Sequence, residues 1–261
     1  MNAIIIAALV LAVVGIVVGI ALVYIGEKFR VEVDERETAV REVLPGNNCG
    51  ACGYAGCDAV ASAIVSGEAP ASVCPVGGAP VTAKINEIMG TSAAAAERKV
   101  ALVRCNGNCE NTSAENNYVG IQDCRAAALA GLHPWSCDYG CMGYGSCVNV
   151  CPQNAIHVIN GVAVVDKEAC IGCGLCVKEC PKKLIELVPY SQKTFVLCSN
   201  KDKGKDVKAV CKVGCIACRI CTKQCQSEAI TVDDNLAHIN YETCKDCGKC
   251  AEKCPQHIIT R

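Results

Sequence analysis

The sequence predicts an α+β chain made of several small modules, without one large hydrophobic core. Three observations predict this: a long apolar stretch at the N-terminus, 25 cysteines among 261 residues, and only 4% aromatic residues. Such a cysteine density is typical of a disulfide scaffold or a metalloprotein. Because large ring side chains are scarce, something other than aromatic packing must fill the interior of each module.

The N-terminal stretch is predicted to be a membrane anchor over residues 1–26. Residues 3–25 are uncharged and mostly aliphatic, which suffices to cross a hydrocarbon core of ~30 Å at ~1.5 Å per residue. A signal peptide, the alternative, would carry positive charge before a shorter apolar run. Here Lys28 and Arg30 follow the run. The positive-inside rule then predicts a single-pass protein of the cell (inner) membrane with its cysteine-rich body on the cytoplasmic side.

A linker or helix over residues 27–48 leads to a small helical cysteine module over residues 49–80. Its cysteines have the spacing C-x2-C-x4-C, and a C-P pair follows later. Interspersed glycines let the backbone bend round a metal cluster and point amides at its sulfurs. A predicted helix over residues 58–65 brings the last cysteine back to the first three. The predicted ligands are Cys49, Cys52, Cys57 and Cys74, with zinc as the alternative to iron–sulfur.

Two tight runs, C-x2-C-x2-C-x3-C-P, occupy residues 170–181 and 244–255. Disulfides staple distant loops, and a cytoplasmic location is reducing, so disulfides are disfavoured. Zinc sites use C-x2-C pairs separated by a longer loop. Three cysteines in seven residues followed by C-P are typical of a [4Fe–4S] cluster. The two runs are therefore predicted to bind such clusters.

A shift of 74 residues superposes nine cysteines of residues 118–191 on nine of residues 192–261. This predicts a tandem duplication. Each copy holds two cysteine runs joined by a hairpin, predicted to turn at Asn160-Gly161 in the first copy and at Asp234-Asn235 in the second.

This layout resembles the bacterial two-cluster ferredoxin domain, present twice. In that family the fourth cysteine of each run ligates the cluster of the other run. The resemblance implies three regular ligand sets: Cys170, Cys173, Cys176 with Cys151; Cys244, Cys247, Cys250 with Cys225; and Cys215, Cys218, Cys221 with Cys254.

The fourth set departs from the family pattern, because Tyr144 stands where the second copy has Cys218. We assign this set to Cys137, Cys141, Cys147 and Cys180, with Cys137 supplying the missing thiolate.

A sixth cluster is predicted from the cysteines that remain. Residues 81–117 are expected to hold a helix, over about 81–100, and a connecting segment with Cys105 and Cys109. The cysteines at 105, 124 and 198 end short apolar runs that we expect to be neighbouring strands. The predicted ligands are Cys105, Cys109, Cys124 and Cys198, and the choice between Cys198 and Cys211 stays open. Some of these residues could instead be ordinary buried thiols.

No other catalytic motif is found. The histidines show no metal spacing, and the sequence contains no phosphate-binding loop, dinucleotide fingerprint or nucleophile elbow. We therefore expect no catalytic residue and no nucleic-acid partner. The chain is predicted to conduct electrons between other proteins.

The order of these modules over nearly all 261 residues resembles the long form of the Rnf complex's B-type subunits. The resemblance implies an ion-translocating ferredoxin:NAD oxidoreductase. Its B-type chain would accept electrons from soluble ferredoxin and pass them to membrane and flavin-bearing subunits. The basic excess of residues 192–261 suggests docking of ferredoxin there, with Lys201, Lys203, Lys205 and Lys208 as candidates, although a solvated lysine loop is the alternative.

Two other functions stay open at this point. One is an electron-transfer subunit of another membrane complex, of the hydrogenase or formate dehydrogenase type. The other is a zinc-binding interaction protein without redox function.

Overall fold

The computed structural model of the chain describes residues 2–28, 34–94, 97–114 and 118–261, with side chains of the first helix from residue 12 onward. Helix α1 (Asn2–Lys28) opens the chain, and its described apolar side chains are exposed. Among the residues searched, no helix combines the length and apolarity that a membrane span requires. Arg30, part of the predicted cytoplasmic flank, lies outside the described residues.

Three helices form the N-terminal module: α2 (Glu35–Val43), α3 (Cys57–Val65) and α4 (Gly78–Met89). Their small core contains Val40, Val60, Ile64 and Ile85, all nearly inaccessible to solvent. The helix predicted over residues 58–65 is present as α3.

The helix predicted over about 81–100 is wrong in its extent. Gly90 adopts a left-handed φ of +65° and caps α4, which ends the helix because glycine takes this conformation without strain. The later part of that range enters strand β1 (Lys99–Val103) instead.

The remainder of the chain contains two copies of one unit. The first copy contains β1, α5 (Cys124–Leu129), α6 (Ser146–Asn149), β2 (Ile156–Ile159), β3 (Val162–Val165), α7 (Leu175–Glu179) and β4 (Ile185–Pro189). The second copy contains β5 (Phe195–Val196), α8 (Gly204–Val210), α9 (Ile220–Gln224), β6 (Ile230–Asp233), β7 (Leu236–Ile239), α10 (Lys249–Glu252) and β8 (Ile259–Thr260).

The strands of the described residues form four two-stranded antiparallel sheets: β1–β4, β2–β3, β5–β8 and β6–β7. Val103 lies opposite Ile185, and Val196 lies opposite Ile259. Since Ile185 and Ile259 are mates under the 74-residue shift, β1 and β5 are equivalent strands. The first copy therefore includes β1, which precedes residue 118.

Both predicted hairpins are confirmed. Asn160 and Gly161 (φ +50° and +82°) join β2 to β3, and Asp234 and Asn235 (φ +48° and +59°) join β6 to β7. Two consecutive left-handed residues match the right-handed twist of the flanking strands, as in a type I′ turn.

Polar contacts connect the two copies. Arg104, just after β1, lies 3.5 Å from the Glu186 carboxylate of β4. The Tyr241 hydroxyl of the second copy donates a 2.8 Å hydrogen bond to the other Glu186 oxygen. The Ser199 hydroxyl donates to the Arg104 carbonyl oxygen at 2.9 Å. These bonds hold the strand ends of both copies side by side.

Candidate metal-cluster cages

Four cavities in the two copies are each lined by four cysteines, with similar empty volumes of about 390, 420, 360 and 330 Å³. We call these cysteine groups cages and number them along the fold. They are cage 2 (Cys151, Cys170, Cys173, Cys176), cage 3 (Cys124, Cys141, Cys147, Cys180), cage 4 (Cys105, Cys137, Cys198, Cys211) and cage 5 (Cys215, Cys218, Cys221, Cys254).

Two further groups lie at the ends of the described fold. Cage 1 denotes Cys49, Cys52, Cys57 and Cys74, and cage 6 denotes Cys225, Cys244, Cys247 and Cys250. In cage 1, burial raises the pKa of the Cys74 thiol, and the nearby thiols of Cys52 and Cys57 add to the rise. In cage 6, burial raises the pKa of Cys250 to about 11, with further contributions from Cys244 and Cys225.

Tight loops direct the cysteines into the cages. In cage 2, Gly172 and Gly174 have left-handed φ values of +67° and +74°. The matching residues of cage 6 are Asp246 and Gly248, at +49° and +78°. Two left-handed residues so close together curl the backbone, so that cysteines three apart face one side. An added Cβ at Gly172 would clash with the Lys99 carbonyl oxygen, which favours glycine there.

Backbone amides point at the sulfurs. The Ala101 N–H donates to Cys170 Sγ at 3.4 Å, the Ala155 N–H to Cys151 Sγ at 3.3 Å, and the Leu184 N–H to Cys180 Sγ at 3.4 Å. Side-chain amides do the same: Asn200 donates to Cys137 Sγ and Gln192 to Cys244 Sγ, both at 3.4 Å. Such donors stabilise thiolates and the negative charge of a thiolate-bound cluster.

Without a metal these thiols are protonated at neutral pH. Burial, the largest cause, raises the pKa of Cys105, Cys147 and Cys176 to about 12 each. Metal ligands must be thiolates, so binding releases protons and becomes weaker as the pH falls.

The cages are too wide for one ion. Among the described residues, no three or more Cys, His, Asp or Glu side chains converge on a single-ion site. A tetrahedral zinc site with Zn–S distances of ~2.3 Å would bring its sulfurs within ~4 Å of one another. Four thiols around an apolar cavity of several hundred Å³ match the donor set of a cubane cluster better.

The grouping in cages 3 and 4 differs from the sequence interpretation. Cys137, expected in cage 3, lines cage 4, and Cys124, expected in the sixth set, lines cage 3. Cys124 begins helix α5 and does not end a strand. Cys109 is exposed and lines none of the four cavities, whereas Cys211, which the prediction left out, lines cage 4.

Strand pairing explains why cage 4 was mispredicted. Cys105 lies two residues after the end of β1, and Cys198 lies two residues after the end of the equivalent strand β5. Cys137 and Cys211 are mates under the 74-residue shift. Cage 4 thus takes two matching cysteines from each copy and lies between them. The sequence signal was the pair Cys137 and Cys211, but the 74-residue shift alone matched Cys198 with Cys124.

Neighbouring cages share bonds or packed helices. The Cys215 N–H of cage 5 donates to Cys198 Sγ of cage 4 at 3.4 Å. The Cys141 N–H of cage 3 donates to Cys105 Sγ of cage 4, also at 3.4 Å. Helix α6 of cage 3 packs against α7 of cage 2, and α9 of cage 5 packs against α10 of cage 6. After burial, the thiol of Cys49 in cage 1 is among the groups that raise the pKa of Cys173 in cage 2.

Three family matches cover parts of the chain. Residues 44–76 match a family described as a putative Fe-S cluster, residues 163–186 a 4Fe-4S binding domain, and residues 214–259 a 4Fe-4S dicluster domain. All of cages 1, 5 and 6 fall within these ranges, whereas the cage 4 cysteines fall outside them.

The whole chain is similar to three curated proteins, each the B-type component of an oxidoreductase complex. It is 46% identical over 261 residues to that of the Na(+)-translocating ferredoxin:NAD(+) oxidoreductase complex of Acetobacterium woodii, covering 100% of this chain and 78% of that protein. It is 42% identical to that of the proton-translocating ferredoxin:NAD(+) oxidoreductase complex of Clostridium ljungdahlii, covering 99% and 93%. It is 40% identical to that of the ion-translocating oxidoreductase complex of Methanosarcina acetivorans, covering 96% and 95%.

Proposed function

The chain belongs to the family of B-type subunits of ion-translocating ferredoxin:NAD oxidoreductase (Rnf) complexes, and from this premise we propose that it is their electron conduit, with six [4Fe–4S] clusters held in cages 1 to 6. The observation that carries the proposal is the set of four similar cavities, each lined by four cysteines and each next to another. When bound, such clusters supply one-electron transfer. The relatives do not favour the hydrogenase or formate dehydrogenase alternative.

The chain arranges its cages in one row, from cage 6 through 5, 4, 3 and 2 to cage 1. The row rests on the two N–H to sulfur bonds that flank cage 4 and on the packed helices at its other steps. Within the described residues, cage 4 is the one connection between the copies that consists of cysteines from both. Its residues therefore decide whether the two halves communicate.

Electrons would enter at the second copy. Among all 25 cysteines only Cys109, Cys218 and Cys247 are exposed, and the last two belong to cages 5 and 6. Exposed basic side chains accompany them, including those of Arg219 and Lys245. Helix α8, with its lysines, contacts the cage 5 loop, since a Cβ added at its first residue would lie 2.7 Å from the carbonyl oxygen of residue 216. A basic rim around accessible cages suits an acidic redox partner such as ferredoxin.

Electrons would leave near the membrane. Cage 1 follows α1 in the chain, and α1 is a continuous helix of 27 residues. Its described apolar side chains, such as Val17, Ile20 and Leu22, are 60% or more exposed, so no other part of the described protein covers them. We propose that α1 anchors the chain in the membrane next to its partner subunits, with the cages on the cytoplasmic side.

Breaking cage 4 tests the conduit. The variant Cys211→Ala should lose one cluster and stop electrons from passing between the copies. With reduced ferredoxin as donor, clusters of cages 5 and 6 should still be reduced, while those of cages 1 to 3 stay oxidised on the same timescale in freeze-quench EPR. The matched control is Cys109→Ala, which removes an exposed cysteine outside the cavities. Equal reduction of all remaining clusters in Cys211→Ala would rule out the single row.

The docking proposal has its own test. Reversing Lys201, Lys203, Lys205 and Lys208 to glutamate should slow reduction by ferredoxin at least tenfold at low salt and flatten its salt dependence. Reversing the lysines at positions 178, 182 and 183 of the first copy provides a control of similar charge change. The docking site lies elsewhere if both sets slow the reaction equally, or if neither does.

A further inference from the structure

Cage 3 poses a problem that the duplication makes visible. Its loop from Cys141 to Cys147 matches the cage 5 loop from Cys215 to Cys221, except that Tyr144 replaces the middle cysteine. The backbone has kept the same form. Residues 143 and 145 have φ values of +77° and +76°, and their mates at 217 and 219 have +53° and +57°. The loop is therefore still built for three inward cysteines but carries two.

Tyr144 does not take the place of the missing ligand. It is absent from the cavity lining of cage 3 and packs on Tyr118 instead, with ring centroids 5.5 Å apart. The fourth thiol in the lining is that of Cys124.

Cys124 comes from a segment that the second copy lacks. Cys105 and Cys198 are equivalent by strand pairing, and Cys137 and Cys211 are equivalent by the repeat. The chain runs 32 residues from position 105 to position 137 in the first copy, but only 13 residues from 198 to 211 in the second. The first copy thus has 19 additional residues here. Cys124 lies within this longer segment.

We infer that Cys124, delivered by this inserted segment, is the cluster ligand that replaces the cysteine missing at position 144. This rests on the proposed function, since it presumes a [4Fe–4S] cluster in cage 3. The cage then has three ligands that match cage 5 (Cys141, Cys147 and Cys180) and one of separate origin.

Two polar residues hold Cys124 in place. The Cys124 N–H donates to Ser146 Oγ at 2.7 Å, and the Ser146 hydroxyl donates to Asp123 Oδ2 at 2.7 Å. Asp123 Oδ1 accepts the N–H groups of Arg125 and Ala126 at 2.9 Å each and so caps α5. Ser146 and Asp123 are therefore positioning residues.

The comparison with the other runs supports this role for Ser146. Its side chain is only 3% exposed, and it directly precedes the last cysteine of its loop. The equivalent residues of the three complete runs are Leu175, Ile220 and Lys249, none of which has a hydroxyl. A buried hydroxyl occurs in the one run whose ligand comes from elsewhere.

Ligand exchange tests the inference on the full-length chain purified without oxygen. Cys124→Ala should lower the iron content by about four atoms per chain, from about 24, and remove one cluster signal from the EPR spectrum. Adding Tyr144→Cys should restore both, because the loop backbone already has the required form. Cys109→Ala, in the same inserted segment, should change neither, and Cys137→Ala should remove a different signal, that of cage 4.

The positioning role has a milder expected effect. Ser146→Ala should retain the iron but shift the midpoint potential and EPR line shape of the cage 3 signal alone, and Ser146→Thr should restore them. Unchanged potential and line shape in Ser146→Ala would remove Ser146 from this role.

The outcomes are separable. Wild-type protein with little iron would overturn the proposed function itself. Full iron in both the wild type and Cys124→Ala, or loss of the same signal in Cys124→Ala and Cys137→Ala, would overturn only this inference. If Cys124→Ala fails to accumulate, the double variant decides, because failure of Tyr144→Cys to rescue it also contradicts the assignment.

Discussion

At the scale of single residues, two buried amides are positioned to set cluster potentials. Asn200, 2% exposed, donates to Cys137 Sγ in cage 4, and Gln192, 4% exposed, donates to Cys244 Sγ in cage 6. A donor at a ligand sulfur stabilises the more negative, reduced form of a cluster and so raises its potential.

Removing these donors should lower one potential at a time. We expect Asn200→Leu to lower the midpoint potential of the cage 4 signal by on the order of 40 mV, if the bond favours the reduced state by about 1 kcal/mol. Gln192→Met should do the same to the cage 6 signal, and each variant serves as the control for the other. EPR-monitored redox titration measures both. A shift of both signals in either variant would mean that general loosening, and not the lost bond, is the cause.

At the scale of the structural elements, the two hairpins differ in one position. Gly161 turns the first hairpin, and an added Cβ there would lie 2.6 Å from Trp135 Cζ2. The matching Asn235 of the second hairpin adopts φ +59°. Asparagine tolerates this backbone conformation, so packing on Trp135, more than φ, requires glycine at 161.

Exchanging the two turn residues tests this. Gly161→Asn should lower the free energy of unfolding by about 1–3 kcal/mol through overpacking. Asn235→Gly should change it by less than about 1 kcal/mol. Chemical denaturation of the cluster-loaded protein measures both values. Equal losses in the two variants would point to a backbone effect without a part for Trp135.

The elements of the two copies are too short to be stable without the cages. Helices α6, α7, α9 and α10 have four or five residues, and each sheet has two strands. Isolated helices of this length and isolated hairpins are not stable in water.

Iron removal should therefore unfold both copies. After chelation under reducing conditions, amides of β2–β3 and β6–β7 should exchange with solvent at least a hundredfold faster in hydrogen–deuterium exchange. Amides of the α2–α4 core, which includes Val40, Ile64 and Ile85, should be accelerated less. Unchanged protection of the hairpins would show that the protein packing alone supports them.

The same elements show how far sequence could predict the fold and the site. The cysteine runs, the hairpins at 160–161 and 234–235 and helix α3 follow from local spacing and turn chemistry, which a sequence displays directly. Cage 4 depends on the pairing of β1 with β4 and of β5 with β8, contacts between residues far apart in sequence. The inserted segment altered the spacing in the first copy, so Cys198 was aligned with Cys124 when its structural mate is Cys105.

At the scale of the whole molecule, duplication and one shared cage turn two separate two-cage units into a single row. Equivalent amides, those of Cys141 and Cys215, contact cage 4 from its two sides. The exposed cysteines of the second copy provide one end, and the module that follows α1 provides the other. A chain with this arrangement can join a soluble donor to a membrane complex along its own length.

The iron positions test this account most directly. Anomalous diffraction at the iron edge, from crystals of the full chain grown without oxygen, should show six four-iron peaks in one row. The peak between the two copies should be bound by Cys105, Cys137, Cys198 and Cys211. A map without a peak at that place, or with that peak bound by Cys109 and Cys124, would contradict the account.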